Sequence, residues 1–271
     1  MQPSPILVAS DLSARNDRAV DRAMALGEAG GRPVILVHAC EPSTDEDAAR
    51  RLERVARDSL PKPDSKVEIV LAAGPAPRTI ARLASERDAA LIVSGVARFN
   101  GIDDYFTGTA VDHVISHGHR PVLVVKARPH RAYDRLLVAV DFSDHSAHAL
   151  AAAAALFPRA QLHVVHAYHV PFEGFQKAAY VKEEVKSETA GRMEQFLARA
   201  ELAGTAGRVR SRLAYGSVAR SIREAIDAVD PDLFVVGTHG MSGLRRATIG
   251  SIASSLLQWV PLDTLVVPPA A

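Results

Sequence analysis

A single cysteine, Cys40, stands among 271 residues. One thiol excludes an internal disulfide and any cysteine-rich metal site, and it suits a reducing compartment. Charge of one sign is equally scarce, since 32 basic residues face 31 acidic ones for a net +1. No whole-molecule attraction to nucleic acid or anionic lipid follows, so neither is expected as a partner. Long hydrophobic runs are missing as well. The longest, Ala149 to Phe157, is alanine-rich, spans about half a bilayer, and reads as a buried helix face. Met1-Gln2-Pro3-Ser4-Pro5 has no basic character, and the apolar run after it is short for a signal peptide. The expectation is a cytoplasmic chain with no membrane partner. A hydrophobic content of 48% is enough for packed cores, and the length suits two domains of about 135 residues each.

The halves repeat one another. Ile6-Leu7-Val8-Ala9-Ser10-Asp11-Leu12-Ser13 returns as Leu136-Leu137-Val138-Ala139-Val140-Asp141-Phe142-Ser143, 130 residues later. Pro33 to Ala39 matches Gln161 to Ala167 at an offset of 128. Leu71 to Pro75 matches Leu213 to Ser217, Leu91 to Gly95 matches Leu233 to Gly237, and Val122 to Val125 matches Thr264 to Val267, all at 142. These runs are apolar and β-branched, and alanine-rich helical patterns separate them. Alternation of that kind predicts βα units and a mainly parallel sheet with helices on both faces, five strands to each repeat. In such a doubly wound α/β layer the ligand site lies beyond the carboxyl ends of the strands, where strand order reverses. That places Asp141, Ala167, Gly216 and Gly237 on one rim.

The change of offset from 128 to 142 inserts fourteen residues into the second repeat, within His169 to Glu201. The segment holds Pro171-Phe172-Glu173-Gly174-Phe175 and a charged helical pattern from Lys177 to Ala200. It reads either as a lid or partner surface, or as a longer crossover helix. A short basic junction, Lys126 to Tyr133, joins the repeats, which are expected to span 1–128 and 134–271.

Gly237-Thr238-His239-Gly240 follows the fourth strand of the second repeat, and Gly250-Ser251 opens the helix beyond it. Glycines let the backbone approach an anion closely, and the first turn of a helix supplies unpaired N–H donors and a partial positive charge. Arg245 and Arg246 in the loop between add two cations. Lys-Ser/Thr does not follow the last glycine, as a P-loop requires, nor do three glycines fall within six residues of the first strand, as a dinucleotide fingerprint requires.

Gly-x2-Gly-x9-Gly-Ser at this point resembles the ATP-binding motif of the universal stress proteins, and the resemblance runs from Ile6 to about Pro268. It implies two tandem doubly wound five-stranded parallel-sheet domains of the adenine nucleotide alpha hydrolase-like type, packed as an intramolecular pseudo-dimer through their last strands. The cofactor implied is ATP, with or without Mg²⁺; no carboxylate cluster for the ion can be assigned. Phosphates would fall to Gly237, His239, Gly240, Gly250, Ser251 and Ile252. The adenine would lie against His166-Ala167-Tyr168 and Gly216-Ser217-Val218. Asp141 would accept ribose hydroxyls, although with Ser143 or Asp144 it can equally cap the following helix. In the first repeat Arg98 replaces the second glycine of the motif, and Asp103-Asp104 stand where the second has Arg245-Arg246. The first site is therefore expected to be degenerate, with another ligand or none.

Two histidine patterns are read as structural, and an arginine stripe is left with two readings. His113 and His117 have the helical spacing of a zinc site, but no carboxylate or cysteine completes a tetrahedron. His163 and His166 fall on opposite faces of a strand. Arg208, Arg210 and Arg212 alternate on a strand, as a solvated sheet edge or a polyanion site would. No catalytic set is visible: Ser251 has no base, and the Ser-Gly-Gly-x-Asp and His-x-Gly-His signatures of acid- and amide-activating relatives are absent. The function expected is that of a nucleotide-binding regulatory protein of the stress response, not an enzyme, with an unknown protein partner. Whether the pseudo-dimer pairs again stays open. The alternatives are a scaffold or binder of another small ligand, and a slow ATPase.

Overall fold

The computed structural model describes residues 3–62, 64–96, 110–169, 178–238 and 249–270. The first repeat contributes strands β1 (Ile6–Ala9), β2 (Val34–Cys40), β3 (Glu68–Ala73), β4 (Leu91–Gly95) and β5 (Val122–Val125). Its helices are α1 (Asp17–Gly30), α2 (Glu46–Asp58), α3 (Ala76–Glu86) and α4 (Ala110–His117). The second contributes β6 (Arg135–Ala139), β7 (Gln161–Tyr168), β8 (Val209–Tyr215), β9 (Leu233–Gly237) and β10 (Thr264–Val267). Between them run α5 (Asp144–Leu156), α6 (Ala178–Leu197), α7 (Val218–Val229) and α8 (Ser251–Trp259). All ten strands form one sheet in the order β3-β2-β1-β4-β5-β10-β9-β6-β7-β8. Every neighbouring pair is parallel except β5 and β10, which run antiparallel.

Central strands such as β1, β5 and β10 are buried along their whole length because helices cover both faces, which is why they read as unbroken Val/Ile/Leu runs. One core holds residues of α1, α2, α5 and α6 against one face of the sheet; the other holds residues of α3, α4, α7 and α8 against the opposite face. The chain thus crosses to the second face after β3 and again after β8. Strand order reverses between β1 and β4 in one repeat and between β6 and β9 in the other.

The expected strands are all present, with one difference. The third strands begin at Glu68 and Val209, upstream of the repeated segments that start at Leu71 and Leu213; the second takes in Arg210 and Arg212, which the sequence places on a strand, and leaves Arg208 just before it. Both are edge strands, and upstream of the repeated segments their residues differ in character, Glu68-Ile69-Val70 in one against Arg210-Ser211-Arg212 in the other. The extra length of the second repeat is largely helix: α6 has 20 residues against 13 in α2 and continues into a short 3-10 helix, Ala200–Thr205. Met193, Phe196 and Leu202 tie this segment into the core. The Pro171 to Phe175 stretch, read as part of a lid or partner surface, lies outside the described residues.

The junction is fixed by two buried acids of the second repeat. Asp263 accepts hydrogen bonds from the backbone N–H groups of Lys126 (2.7 Å) and Ala127 (3.1 Å) and from the Tyr133 hydroxyl (2.5 Å). Arg22 of α1 lies 3.6 Å from the same carboxylate and over the Tyr133 ring. Asp232 accepts from the N–H groups of Asp134 and Arg135 and pairs with Arg131 at 2.6 Å. Lys126 Nζ donates to the carbonyls of Leu257 and Val260, where α8 ends, at 2.6 and 2.7 Å. A cation there complements the negative end of the helix dipole.

Candidate functional site

The carboxyl ends of β9, β6, β7 and β8 form the rim that the sequence singles out. Gly237 is the last residue of β9, and Asp141 follows β6 by two residues, so they flank the point of strand reversal. Ala167 pairs with Ala214 in register, and Gly216 is the first residue after β8, its N–H bonded to the Tyr168 carbonyl at 2.9 Å. Gly216 has φ +130°, and Gly74 at the same place in the first repeat has φ +119°, backbone that side chains with a Cβ rarely adopt. These turns let the chain leave the sheet without closing over the rim.

The phosphate side is partly described. Thr238 is buried; its N–H bonds the Val267 carbonyl at 3.1 Å and its own carbonyl accepts from Gly250 N–H at 2.7 Å. That last bond brings the start of α8 back against the end of β9. Gly250 occupies the N-cap of α8 in extended conformation with no side-chain cap, so the first turn keeps N–H donors for an external acceptor. Ser251 is exposed and Ile252 is 58% exposed, unusual for a large apolar side chain. His239 and Gly240, together with Arg245 and Arg246, lie outside the described residues. So do Arg98, Asp103 and Asp104, on which the expectation of a degenerate first site rests.

Asp141 performs the capping role first. Its Oδ1 accepts from the Ser143 N–H (3.1 Å) and hydroxyl (2.5 Å), and the Ser143 hydroxyl oxygen caps α5 by accepting from Ser146 N–H. Asp11 and Ser13 repeat the Asp–Ser pair at 3.0 and 2.6 Å. A carboxylate has a second oxygen and further lone pairs, so capping and acceptance of a ribose hydroxyl are compatible.

The histidine at the end of the second strand, rejected from its sequence as a metal ligand and named there only as part of the base wall, makes a contact of its own. His166 Nδ1 lies 2.8 Å from the Val140 carbonyl, and His38 makes the same contact with Ser10 at 2.9 Å. A carbonyl only accepts, so Nδ1 carries the proton and Nε2 is left as an acceptor. Burial holds the His166 imidazole below its ordinary pKa, against the opposing pull of the Val140 bond, with Arg192 lowering and Asp141 raising it. The ring is stacked on Phe142, 4.0 Å between centroids, and Arg192 of α6 lies 5.1 Å above the other aromatic partner in this stack, Phe142. Further along, Tyr168 and Tyr215 meet edge-on, with Lys182 Nζ 4.0 Å from the Tyr215 centroid. The repeated Val-His-Ala at offset 128 was the available signal for His166; nothing in the sequence announces Arg192 or Lys182, which reach the rim from the inserted helix.

The first repeat differs structurally at this crevice. Asn16 donates to the Ala9 carbonyl, and its Oδ1 is buried with no hydrogen-bond partner among the described residues. A Cβ built on Gly95 would stand 2.8 Å from that oxygen, so the Asn16 side chain packs directly against the end of β4; the matching residue of the second repeat is Ser146.

The histidine pair and the arginine stripe are placed as follows. His113 and His117 stack at 4.0 Å, and the His117 Nδ1 bonds the His113 carbonyl. Among the described residues no group of three His, Cys, Asp or Glu could hold a metal ion, and no helix is long and apolar enough to cross a membrane. Arg208 leaves the basic stripe: its guanidinium donates to carbonyls of Ala154, Phe157 and Ala160, where α5 ends.

No curated protein matches the sequence. Solved structures do match the fold. A protein of unknown function from Pseudomonas aeruginosa PAO1 superposes with TM-score 0.72 at 19% identity, over 98% of this chain and 93% of that one. A candidate universal stress protein from Pseudomonas aeruginosa UCBPP-PA14 gives TM-score 0.70 at 20% identity, over 98% and 94%. A universal stress protein from Archaeoglobus fulgidus in complex with dAMP matches 46% of this chain and 98% of its own, at 27% identity and TM-score 0.38. The model of the universal stress protein family matches residues 4–126 and again 132–268, and the chain belongs to that family as a tandem member.

Proposed function

We propose that the second repeat binds an adenine nucleotide, ATP, and that the protein is a regulatory component of the stress response rather than an enzyme. The observation that carries this reading is the meeting of β9 and α8 at the point of strand reversal. There Gly250 is bonded to Thr238, and the first turn of α8 has no side-chain cap. An anion is the natural acceptor for such donors. Gly237, His239, Gly240, Gly250, Ser251 and Ile252 are assigned to the phosphates, Asp141 to the ribose, and Ala167 and Gly216 to the walls of the base. The neutral imidazole of His166, with Nε2 open as an acceptor, adds a polar group to that wall. Mg²⁺ is assigned to the nucleotide and not to a protein carboxylate. The proposed limits of the repeats are 1–128 and 134–271. The first repeat, with Asn16 in its crevice and Arg98 in its motif, is retained for packing. The second repeat alone changes state when ATP binds, and Ser242 to Thr248, which lie outside the described residues, are assigned to the surface offered to a protein partner.

The test is calorimetric titration of ATP with Mg²⁺ into the full chain, beside a Gly240→Arg variant that copies Arg98. One site per chain, lost in the variant, is the expected result. No heat in the unmodified protein, and no nucleotide released on denaturing it, would overturn the reading in favour of a scaffold or another ligand.

A further inference from the structure

A second cavity opens at the opposite rim of the same repeat, at the amino ends of β6, β7 and β8 under the carboxyl half of α7. Its volume is about 590 Å³. Arg135, His163, Arg210 and Arg212 line it together with apolar Leu137 and Val165. Register explains why the charges converge. His163 pairs with Arg210 and Val165 with Arg212, so all four face α7.

The first repeat shows what this fold does when the space is not wanted. At the matching register it has Ile35 opposite Glu68 and Val37 opposite Val70. Leu83 of α3 is buried where α7 has Ala225, and Glu68 is bonded to Arg87 at 2.7 Å where the second repeat has Arg210 and Val229. A leucine and an ion pair close the first repeat; an alanine and an arginine leave the second open and cationic. Arg135 is already compensated by Asp230 at 2.8 Å. Arg210, Arg212 and His163 meet no carboxylate among the described residues.

Arginines on an outermost strand are a common guard against strand addition, and that would explain Arg210 and Arg212 by themselves. It does not explain His163, one strand further in, nor the loss of the leucine that would fill the pocket.

We infer that this cavity is a binding site for a small phosphorylated molecule, its phosphoryl group held by Arg210 and Arg212 and its apolar part lying against Leu137, Val165 and Ala225. Two guanidinium forks match phosphate oxygens geometrically as well as electrostatically, and the volume falls within the range of small-molecule pockets. The site is separate from the proposed nucleotide site and does not depend on it.

His163 is a reporter inside the pocket. Burial first, then Arg210 and Arg135, hold its pKa below the ordinary histidine value. The charged groups around it are Arg135 from β6 and Arg210 and Arg212 from β8; the lining residues of α7 are Ala225, Ala228 and Val229. A bound phosphoryl dianion offsets the arginines and raises the imidazole pKa.

Phenyl phosphate titrated into the full chain is the probe, with the His163 ring resonances followed by NMR. The expected result is a saturable shift and an upward-moved His163 midpoint, weakened at least about tenfold in Arg210→Gln/Arg212→Gln. Ala225→Leu, which copies the first repeat, should abolish it, while Gly240→Arg should leave it unchanged. No saturable shift, an equal shift in Arg210→Gln/Arg212→Gln, or a loss of the shift in Gly240→Arg would each overturn the inference. Because the readout is His163 itself, failure here is distinct from failure of ATP binding.

Discussion

Leu123 of β5 and Leu265 of β10 are directly paired across the antiparallel junction of the repeats, and they are also each other's counterparts at offset 142. A pseudo-twofold axis therefore passes through this pair, normal to the sheet. That operation keeps each face of the sheet on its own side, which is why the helices of the two repeats share two continuous cores. It also abolishes the most apolar edge each repeat would expose alone.

Both leucines are fully buried. Leu123→Ala and Leu265→Ala should each cost about 2–5 kcal/mol, measured by urea denaturation. Because the side chains touch the same axis, the double variant should depart from additivity. Additive effects would mean the repeats are stabilised independently.

Asp263 is 4% exposed, and Arg22 beside it is also 4% exposed. Asp263→Ala strands that guanidinium and the Tyr133 hydroxyl, and removal of one partner from a buried pair costs about 3–5 kcal/mol. The midpoint of urea unfolding gives the answer; a change under 1 kcal/mol, on the scale of an exposed pair, would show that water replaces the carboxylate.

Lys126 gives a pH dependence with a definite sign. Burial lowers its pKa from 10.5 to about 8, against the attraction of Asp263. Between those values the unfolded chain binds the extra proton, so stability rises with pH from about 8 towards 10.5 and the contribution is lost as pH falls through 8. Tyr133, whose pKa is raised by burial and by Asp263, opposes this trend only above the ordinary tyrosine value of 10.0. Denaturant midpoints should therefore climb from pH 8 to 10 in the unmodified protein and climb less in Lys126→Met. Equal slopes would locate the titration elsewhere.

His166 gives a pH dependence of the same sign in the imidazole range. Its depressed pKa means that stability from the neutral ring is present above the ordinary value of 6.5 and is lost as pH falls through the lower folded value. NMR should place its midpoint below 6.5, and His166→Gln should flatten stability between pH 5 and 7 (about the range of imidazole titration). A midpoint above 6.5 would contradict the buried, neutral ring.

Gly216→Ala tests the rim turn. At φ +130° a Cβ is strained whatever the space, and the nearest atom it would meet, Arg220 Cδ at 3.6 Å, is no obstacle. The cost should be about 1–3 kcal/mol in thermal or urea unfolding, from conformation alone. A neutral substitution would show that the turn relaxes.

The sequence by itself determined the repeat, the ten strands and the rim to which Asp141, Ala167, Gly216 and Gly237 belong. Those signals are local: β-branched runs buried on both faces, glycines where the chain turns, and offsets that preserve order. The repeat match begins only at Leu71 and Leu213, because the residues before them in the two edge strands, Glu68-Ile69-Val70 and Arg210-Ser211-Arg212, differ in character. The sequence missed contacts made between elements distant in the chain. Asp232 and Asp263 look like ordinary acids before strands, and their matching residues in the first repeat are Ala90 and Pro121. Only the tertiary structure brings them to the junction, which occurs once and so has no second copy to be compared with. The same holds for Arg192 and Lys182, delivered to the rim by the inserted helix, and for the cavity beneath α7. There the exchange of Leu83 for Ala225 acquires meaning only when α7 is laid across His163 and Arg210. A strand's burial is written in its own residues; a meeting of side chains is decided by packing among elements whose separation along the chain carries no local signal.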